Sequence, residues 1–261
     1  MASPTIYQNY VFVGSSHGHM YCLNRNDGTI LWKFKAYGSV ESATAVYNRN
    51  IIFGDSDGNL YSVRMADGYA NWVYEARGQV MGRIAIVENK AIFSTTFNRI
   101  YAVDAESGKW LWTHQRALPE GFSIYGVRSP KSDGNLVYAG FADGYLVAMD
   151  LERGREVWKT LLVQGETFTD IDANVVFDGD LLYISGYDGI LYCLEKENGN
   201  VKWKVGIGGV SQVALYGDKL IFSEDKGFLH GLDKKTGDLI WKIDIRNEDA
   251  KKSVAKSLRR K

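Results

Sequence analysis

No stretch of this chain is long and apolar enough to form a transmembrane helix. Residues Met1-Ala2-Ser3-Pro4 lack the basic and apolar regions of an export signal, so none is visible in the sequence. Cysteine is scarce. Only Cys22 and Cys193 occur, too few for a disulfide framework, and they leave the redox compartment undefined. Surplus charge is absent too: 31 basic residues face 31 acidic ones, which removes the broad electrostatic footprint of a nucleic-acid binder. There is no sustained helical period, and no Walker loop, nucleophile elbow or zinc-protease pattern appears. The remaining composition, 45% hydrophobic and 24% charged, is that of a soluble globular protein.

What the chain does contain is a repeated tryptophan. Six times a glycine is followed four residues later by Trp: Gly28 and Trp32, Gly68 and Trp72, Gly108 and Trp112, Gly154 and Trp158, Gly199 and Trp203, Gly237 and Trp241. Four residues before each glycine stands a polar residue (Asn24, Arg64, Asp104, Asp150, Glu195, Asp233). Two before that stands a small one (Cys22, Ser62, Ala102, Ala148, Cys193, Gly231). The unit recurs after 40, 40, 46, 45 and 38 residues, a period that marks a repeat architecture. Both cysteines fall in the small column, which makes them compact core residues and argues against a disulfide between units one and five.

Each unit reads as four short strands. In the fifth they are 172–177, 181–185, 190–194 and 201–205, broken at Asp178-Gly179-Asp180, Tyr187-Asp188-Gly189 and Asn198-Gly199. Asx-Gly pairs supply the positive φ of tight hairpins. Short strands at this spacing predict an all-β fold, and a four-stranded unit of this length repeated around an axis is a β-propeller. Six four-stranded antiparallel blades are expected over residues 1–246, from an inner strand at 4–7 to an outer strand at 241–245. On this count sheets one and six adjoin without a strand crossing the closure. An incomplete eight-bladed ring is the alternative. Each Trp, on the outer strand, would dock between sheets with the small column making room for it. A basic tail, residues 247–261, carries Lys251, Lys252, Lys256, Arg259, Arg260 and Lys261, and reads either as solvated or as a contact for an anionic surface.

The pattern Tyr101-Ala102-Val103-Asp104, Gly108, Trp112 resembles the tryptophan-docking repeat of propellers of the pyrroloquinoline-quinone (PQQ) type. Within that superfamily the order Arg128-Ser129-Pro130, then 138–149 with its glycine-rich hairpin, then Thr169-Asp170-Ile171-Asp172, is similar to the BamB family of the outer-membrane β-barrel assembly machinery. The resemblance implies a non-catalytic scaffold at the periplasmic face of the outer membrane that binds BamA, acts as a monomer and uses no cofactor. It matches Asp170 and Asp172 to one contact loop of the family, and Phe122, Ile124 and Tyr125 to a second, with Tyr125 where the family has arginine and Arg128 three residues on. The family usually has eight blades and a lipidated N-terminal cysteine, absent here, so membrane association would need an anchor this chain does not carry. A generic interaction or ligand-sensing propeller is a second reading. A PQQ-dependent dehydrogenase is the third and weakest, since there are no adjacent cysteines and no long capping insertions.

Spacing points to the same segments. The two long intervals flank the fourth unit, and their extra residues fall in 118–130 and 162–172; connections that grow on a regular scaffold are disproportionately functional. Asp170 and Asp172 lie outside any Asp-Gly pair, and partner binding, a cap at the start of a strand and metal ligation all fit them; two carboxylates alone make a weak calcium site. Phe122, Ile124 and Tyr125 read as interface anchors or as residues folding into the next inner strand. His17 and His19 lack a third ligand at a suggestive spacing, which leaves no metal site. His230 replaces the tyrosine of other units, a packing role.

Overall fold

The computed structural model describes residues 4–118, 129–163, 175–186, 189–206, 213–224 and 226–246. The described residues form six antiparallel sheets of four strands, at 5–35, 45–75, 85–115, 131–161, 176–206 and 214–244. In every sheet the strands lie in sequence order, so each blade is built from one continuous segment. The expected boundaries shift slightly. The fifth blade's inner strand is Val176–Asp178, and the sixth blade's outer strand is Leu239–Asp244. Asp172 lies outside the described residues.

The turn before each outer strand explains the polar column. In the third blade, Ser107 donates its amide and its hydroxyl to Asp104 Oδ1 (2.7 and 2.6 Å), while the Gly108 amide donates to the Asp104 carbonyl at 2.8 Å. The Ser107 hydroxyl, aided by the Ser107 and Glu106 amides, holds the Asp104 carboxyl below its usual range. The turn closes only if its last residue takes φ near +70°, and Gly108 sits at 71°. Directly after it the ladder slips by one residue, a β-bulge that recurs in all six blades. The slip seats the tryptophan opposite the small column: Cys22 pairs with Trp32, Ala102 with Trp112, Cys193 with Trp203.

The indole then crosses to the next blade. Trp32 Nε1 donates to the Met65 carbonyl (2.8 Å), Trp72 to Ala105 (3.3 Å), Trp112 to Leu151 (2.9 Å) and Trp158 to Lys196 (2.8 Å). The ring rests on the turn glycine of that next blade: Trp32 on Gly68, Trp72 on Gly108, Trp112 on Gly154, Trp158 on Gly199, Trp203 on Gly237. At the fifth junction the hydrogen bond changes hands. The Tyr183 hydroxyl donates to the Lys234 carbonyl at 2.9 Å, and Trp203 Nε1 is buried with no partner. Five hydrophobic clusters fill the five junctions between consecutive blades. Cys22 and Cys193 are free and buried in separate clusters, where desolvation pushes both thiols up to about 11.

Between the sixth and first sheets the pattern stops. Among the described residues no core cluster and no hydrogen bond joins them, and a methyl carbon added at Gly28 would meet nothing within 4 Å. Trp241 lies instead over Gly231 of its own sheet.

Two pairs of substitutions test this account by chemical denaturation. Trp112→Ala, which empties a junction, is expected to cost ~3–5 kcal/mol, and Trp241→Ala clearly less; equal losses would contradict the unequal roles of the two indoles. Gly28→Ala should cost only the backbone strain of a positive φ, about 1–2 kcal/mol. Gly108→Ala has nearly the same φ but sets its methyl 2.6 Å from Trp72 Cδ2. It should lose roughly a further 1–3 kcal/mol through overpacking.

Candidate functional site

Connections between blades leave from the end of the propeller that also carries the hairpins joining second and third strands. Two of them, residues 36–44 and 76–84, are short and clamped by hydrogen bonds. Asp55, fully buried in the second blade's hairpin, accepts from the Tyr61 hydroxyl (2.6 Å), the Gly38 amide (3.0 Å) and the Asn59 amide (2.8 Å). Burial raises the Asp55 pKa, but these donors outweigh it and hold the carboxyl below its usual value. The Tyr61 hydroxyl also accepts from the Tyr37 amide (3.0 Å), and the Ser39 amide donates to Ser56 Oγ (2.9 Å). The next connection repeats the scheme, with the Arg77 amide on Tyr101 and the Gln79 amide on Thr96. The backbone is therefore fixed while Tyr37, 78% exposed, projects outward.

The two connections flanking the fourth blade, residues 116–130 and 162–175, are longer. Their roots are anchored from both sides of that blade's hairpin at 141–144. Asn98, buried at a positive φ, donates through Nδ2 to the Ala117 carbonyl (2.8 Å) and accepts at Oδ1 from the Ala142 amide (3.0 Å). Arg116 pairs through Nε with Asp143 (2.7 Å), and its guanidinium lies 4.4 Å from the Tyr145 ring centre. On the far side the Leu162 amide donates to the Gly144 carbonyl (2.9 Å), and the Tyr192 hydroxyl donates to the Leu162 carbonyl (2.7 Å). Ser129 Oγ, where the first long connection returns, accepts from the Arg83 amide at 3.1 Å. One hairpin thus stands between both roots, and both connections leave the same end.

Phe122, Ile124, Tyr125, Arg128, Asp170 and Asp172 all lie outside the described residues, so the structure supplies their anchors and not their positions. Leu118, at the last described position before the gap, is 44% exposed; Val163 and Val175, bounding the second, are buried. The sequence reading missed Tyr37 and Phe97, both exposed at this end. The available signal was the Ala-Tyr-Gly of 36–38 beside the Ala-Arg-Gly of 76–78, an aromatic in a slot the repeat leaves outside the core. His230 stacks on Phe222 at 5.0 Å and pairs with Glu224 at 2.8 Å, a packing role as read from the repeat. His19 tilts against Tyr21. Among the described residues no group of three or more His, Cys, Asp or Glu is placed to hold a metal.

The family described as outer membrane protein assembly factor BamB matches residues 2–89 and 48–243. No curated protein sequence matches the chain. Among solved structures, BamB from Moraxella catarrhalis superposes with a TM-score of 0.82 at 22% identity, covering 93% of this chain and 75% of that one. Quinohemoprotein alcohol dehydrogenase from Comamonas testosteroni (TM-score 0.72, 11% identity, 93% of this chain and 60% of that one) shares the fold. So does Sqt1 from Saccharomyces cerevisiae (0.72, 16%, 90% and 70%). With a family match running from residue 2 to residue 243 over all six blades, this chain belongs to the BamB family of outer membrane protein assembly factors.

Proposed function

We propose that the protein is a non-catalytic scaffold of outer-membrane β-barrel assembly, working at the periplasmic face of the outer membrane and contacting BamA through the connections at 116–130 and 162–175. The observation that carries this reading is the coincidence of two facts. The family match runs over all six blades, and two connections lengthened relative to 36–44 and 76–84 are rooted on either side of one hairpin. A rigid root matters for binding, because a segment whose ends are fixed loses less freedom on docking. In this reading Phe122, Ile124 and Tyr125 supply apolar contact, Arg128 a bidentate donor, and Asp170 and Asp172 the acidic half of a charge-complementary contact.

The quinohemoprotein likeness carries no argument for an enzyme here, since at 11% identity it reports the shared fold. The chemistry of the described residues agrees with a scaffold. Three carboxylates held below their usual range are occupied in structural bonds: Asp55 clamps a connection, Asp104 closes a turn, and Asp133 accepts from Tyr138 and Lys196. None of the three is left with a proton to exchange in an open cleft.

The test is a double charge reversal, Asp170→Lys with Asp172→Lys, assayed by co-purification with BamA and by thermal denaturation. Binding should fall at least tenfold while the melting temperature stays within about 2 °C of the parent, the behaviour of surface changes away from the core. Undiminished co-purification would remove the proposed contact.

A further inference from the structure

At the start of the hairpin joining second and third strands, two blades hold a carboxylate in the same slot. In the second blade it is Asp55, which accepts from the Tyr61 hydroxyl, the Gly38 amide and Asn59 Nδ2 (3.1 Å to Oδ2). In the sixth it is Glu224, 2.8 Å from Nε2 of His230, which stands at the place of that tyrosine. Neutral donors alone hold Asp55 below its usual value, so the slot is built to stabilise a carboxylate.

The third blade keeps the donors and omits the acid. Thr95 stands where Asp55 stands, Arg99 where Asn59 stands and Tyr101 where Tyr61 stands. The flanking bonds are retained: the Arg77 amide reaches the Tyr101 hydroxyl (3.2 Å) and the Gln79 amide reaches Thr96 Oγ1 (3.1 Å), as Tyr37 and Ser39 do one blade earlier. Four groups between them find no acceptor among the described residues. The Gly78 amide, counterpart of the Gly38 amide, donates to none. The Tyr101 hydroxyl accepts from the Arg77 amide and from Arg99 Nη1 (3.4 Å) and donates to none. Thr95 is 4% exposed with its hydroxyl buried and unpaired, and Arg99 Nε is buried without a partner. Thr95 and Arg99 face each other across the ladder and Tyr101 lies two residues on, so the three side chains leave one face of the sheet. Buried donors without acceptors are costly and rare, and four in one slot call for a shared acceptor.

We propose that this slot of the third blade binds a carboxylate supplied from outside the chain, held by the Arg99 guanidinium, the Tyr101 and Thr95 hydroxyls and the Gly78 amide as the second blade holds Asp55. Arginine suits the task, because its planar fork matches the two oxygens of a carboxylate. A groove of about 430 Å³, lined by Ser56, Asp57, Gly78, Gln79, Thr96 and Phe97, reaches the slot at Gly78, and Arg77 is exposed beside it. Asp57 is the one acid in that lining. It is exposed, so solvent screens its charge, and its Oδ1 lies 3.4 Å from Ser56 Oγ. Phe97, 48% exposed, gives the groove an apolar wall, and a methyl added at Gly78 would sit 3.0 Å from its Cδ2. A free acid would use the slot alone, whereas the acidic side chain of a polypeptide would also cover Phe97. The site belongs to the second and third blades and uses neither long connection, so it stands independently of the BamA contact.

Titration of the full chain with acetate, followed by nuclear magnetic resonance at the Gly78 amide and the Arg99 Nε–H, tests the proposal. Acetate should shift both signals saturably in the millimolar range, and acetamide, of the same shape without the charge, should not. Arg99→Gln should weaken acetate binding by roughly tenfold or more. Thr95→Asp, which rebuilds the carboxylate of the second blade in place, should abolish the shifts and raise the melting temperature. The blocked tripeptide acetyl-Phe-Asp-Phe-amide separates the two sources. Binding about tenfold tighter than acetate, with the Phe97 signals moving, assigns the carboxylate to a polypeptide; affinity equal to that of acetate assigns it to a free acid, and either result supports the site. No saturable shift with either probe, equal shifts with acetamide, or acetate binding that persists in both Arg99→Gln and Thr95→Asp would overturn it.

Discussion

The seating of an outer-strand indole on the turn glycine of the following blade is the contact on which the rest of this structure depends. It couples three scales. Locally it requires a turn whose last residue takes positive φ and a bulge that re-aims the strand. Between blades it supplies a large apolar surface together with one hydrogen bond, as in Trp112, which is 3% exposed and bonded to the Leu151 carbonyl. Globally it sets the stacking of each sheet on the next. A small sheet cannot bury both its faces alone, so stability in such an array is largely a sum over neighbouring pairs.

Because the interior is committed to this pairwise packing, the parts free to vary are the connections that leave it. The short ones are held by a repeated set of bonds, an acidic or hydroxyl side chain in one blade accepting amides from the preceding connection. Around the fourth blade that scheme is replaced. Asn98, Arg116 and Tyr192 take over the anchoring, and the backbone between the anchors is lengthened. Length is thus added without disturbing any junction core, which leaves a rigid repeat free to carry the binding role proposed above.

How much of this was legible in advance depended on whether a feature is local. The strand order, the hairpin breaks, the role of the small column and the docking of the first five tryptophans all follow from residues at fixed offsets, because turn chemistry and side-chain size act over a few residues. The two lengthened connections were legible from spacing as well, and the structure describes their roots. What could not be read was the exchange at the fifth junction, where Tyr183 takes the carbonyl that an indole takes elsewhere. That choice turns on two side chains of the fifth blade, Tyr183 and Trp203, competing for one carbonyl in the sixth. Tyr37 was overlooked for a related reason: nothing in composition tells an aromatic that caps a core from one held out of it.

By itself, the sequence determined the all-β class, the six repeats, the place of a tryptophan on each outer strand and the two connections that break the period. Each of these is written in short-range pattern, and the physics behind it, positive φ at glycine and the volume of an indole, needs no distant partner. The tertiary structure alone decided which junctions are filled. Trp241 and Gly28 carry the same local signature as their counterparts, yet one folds onto its own sheet and the other faces open space. Whether a docking residue finds its site is a property of how sheets are arranged around an axis, and no local pattern encodes that.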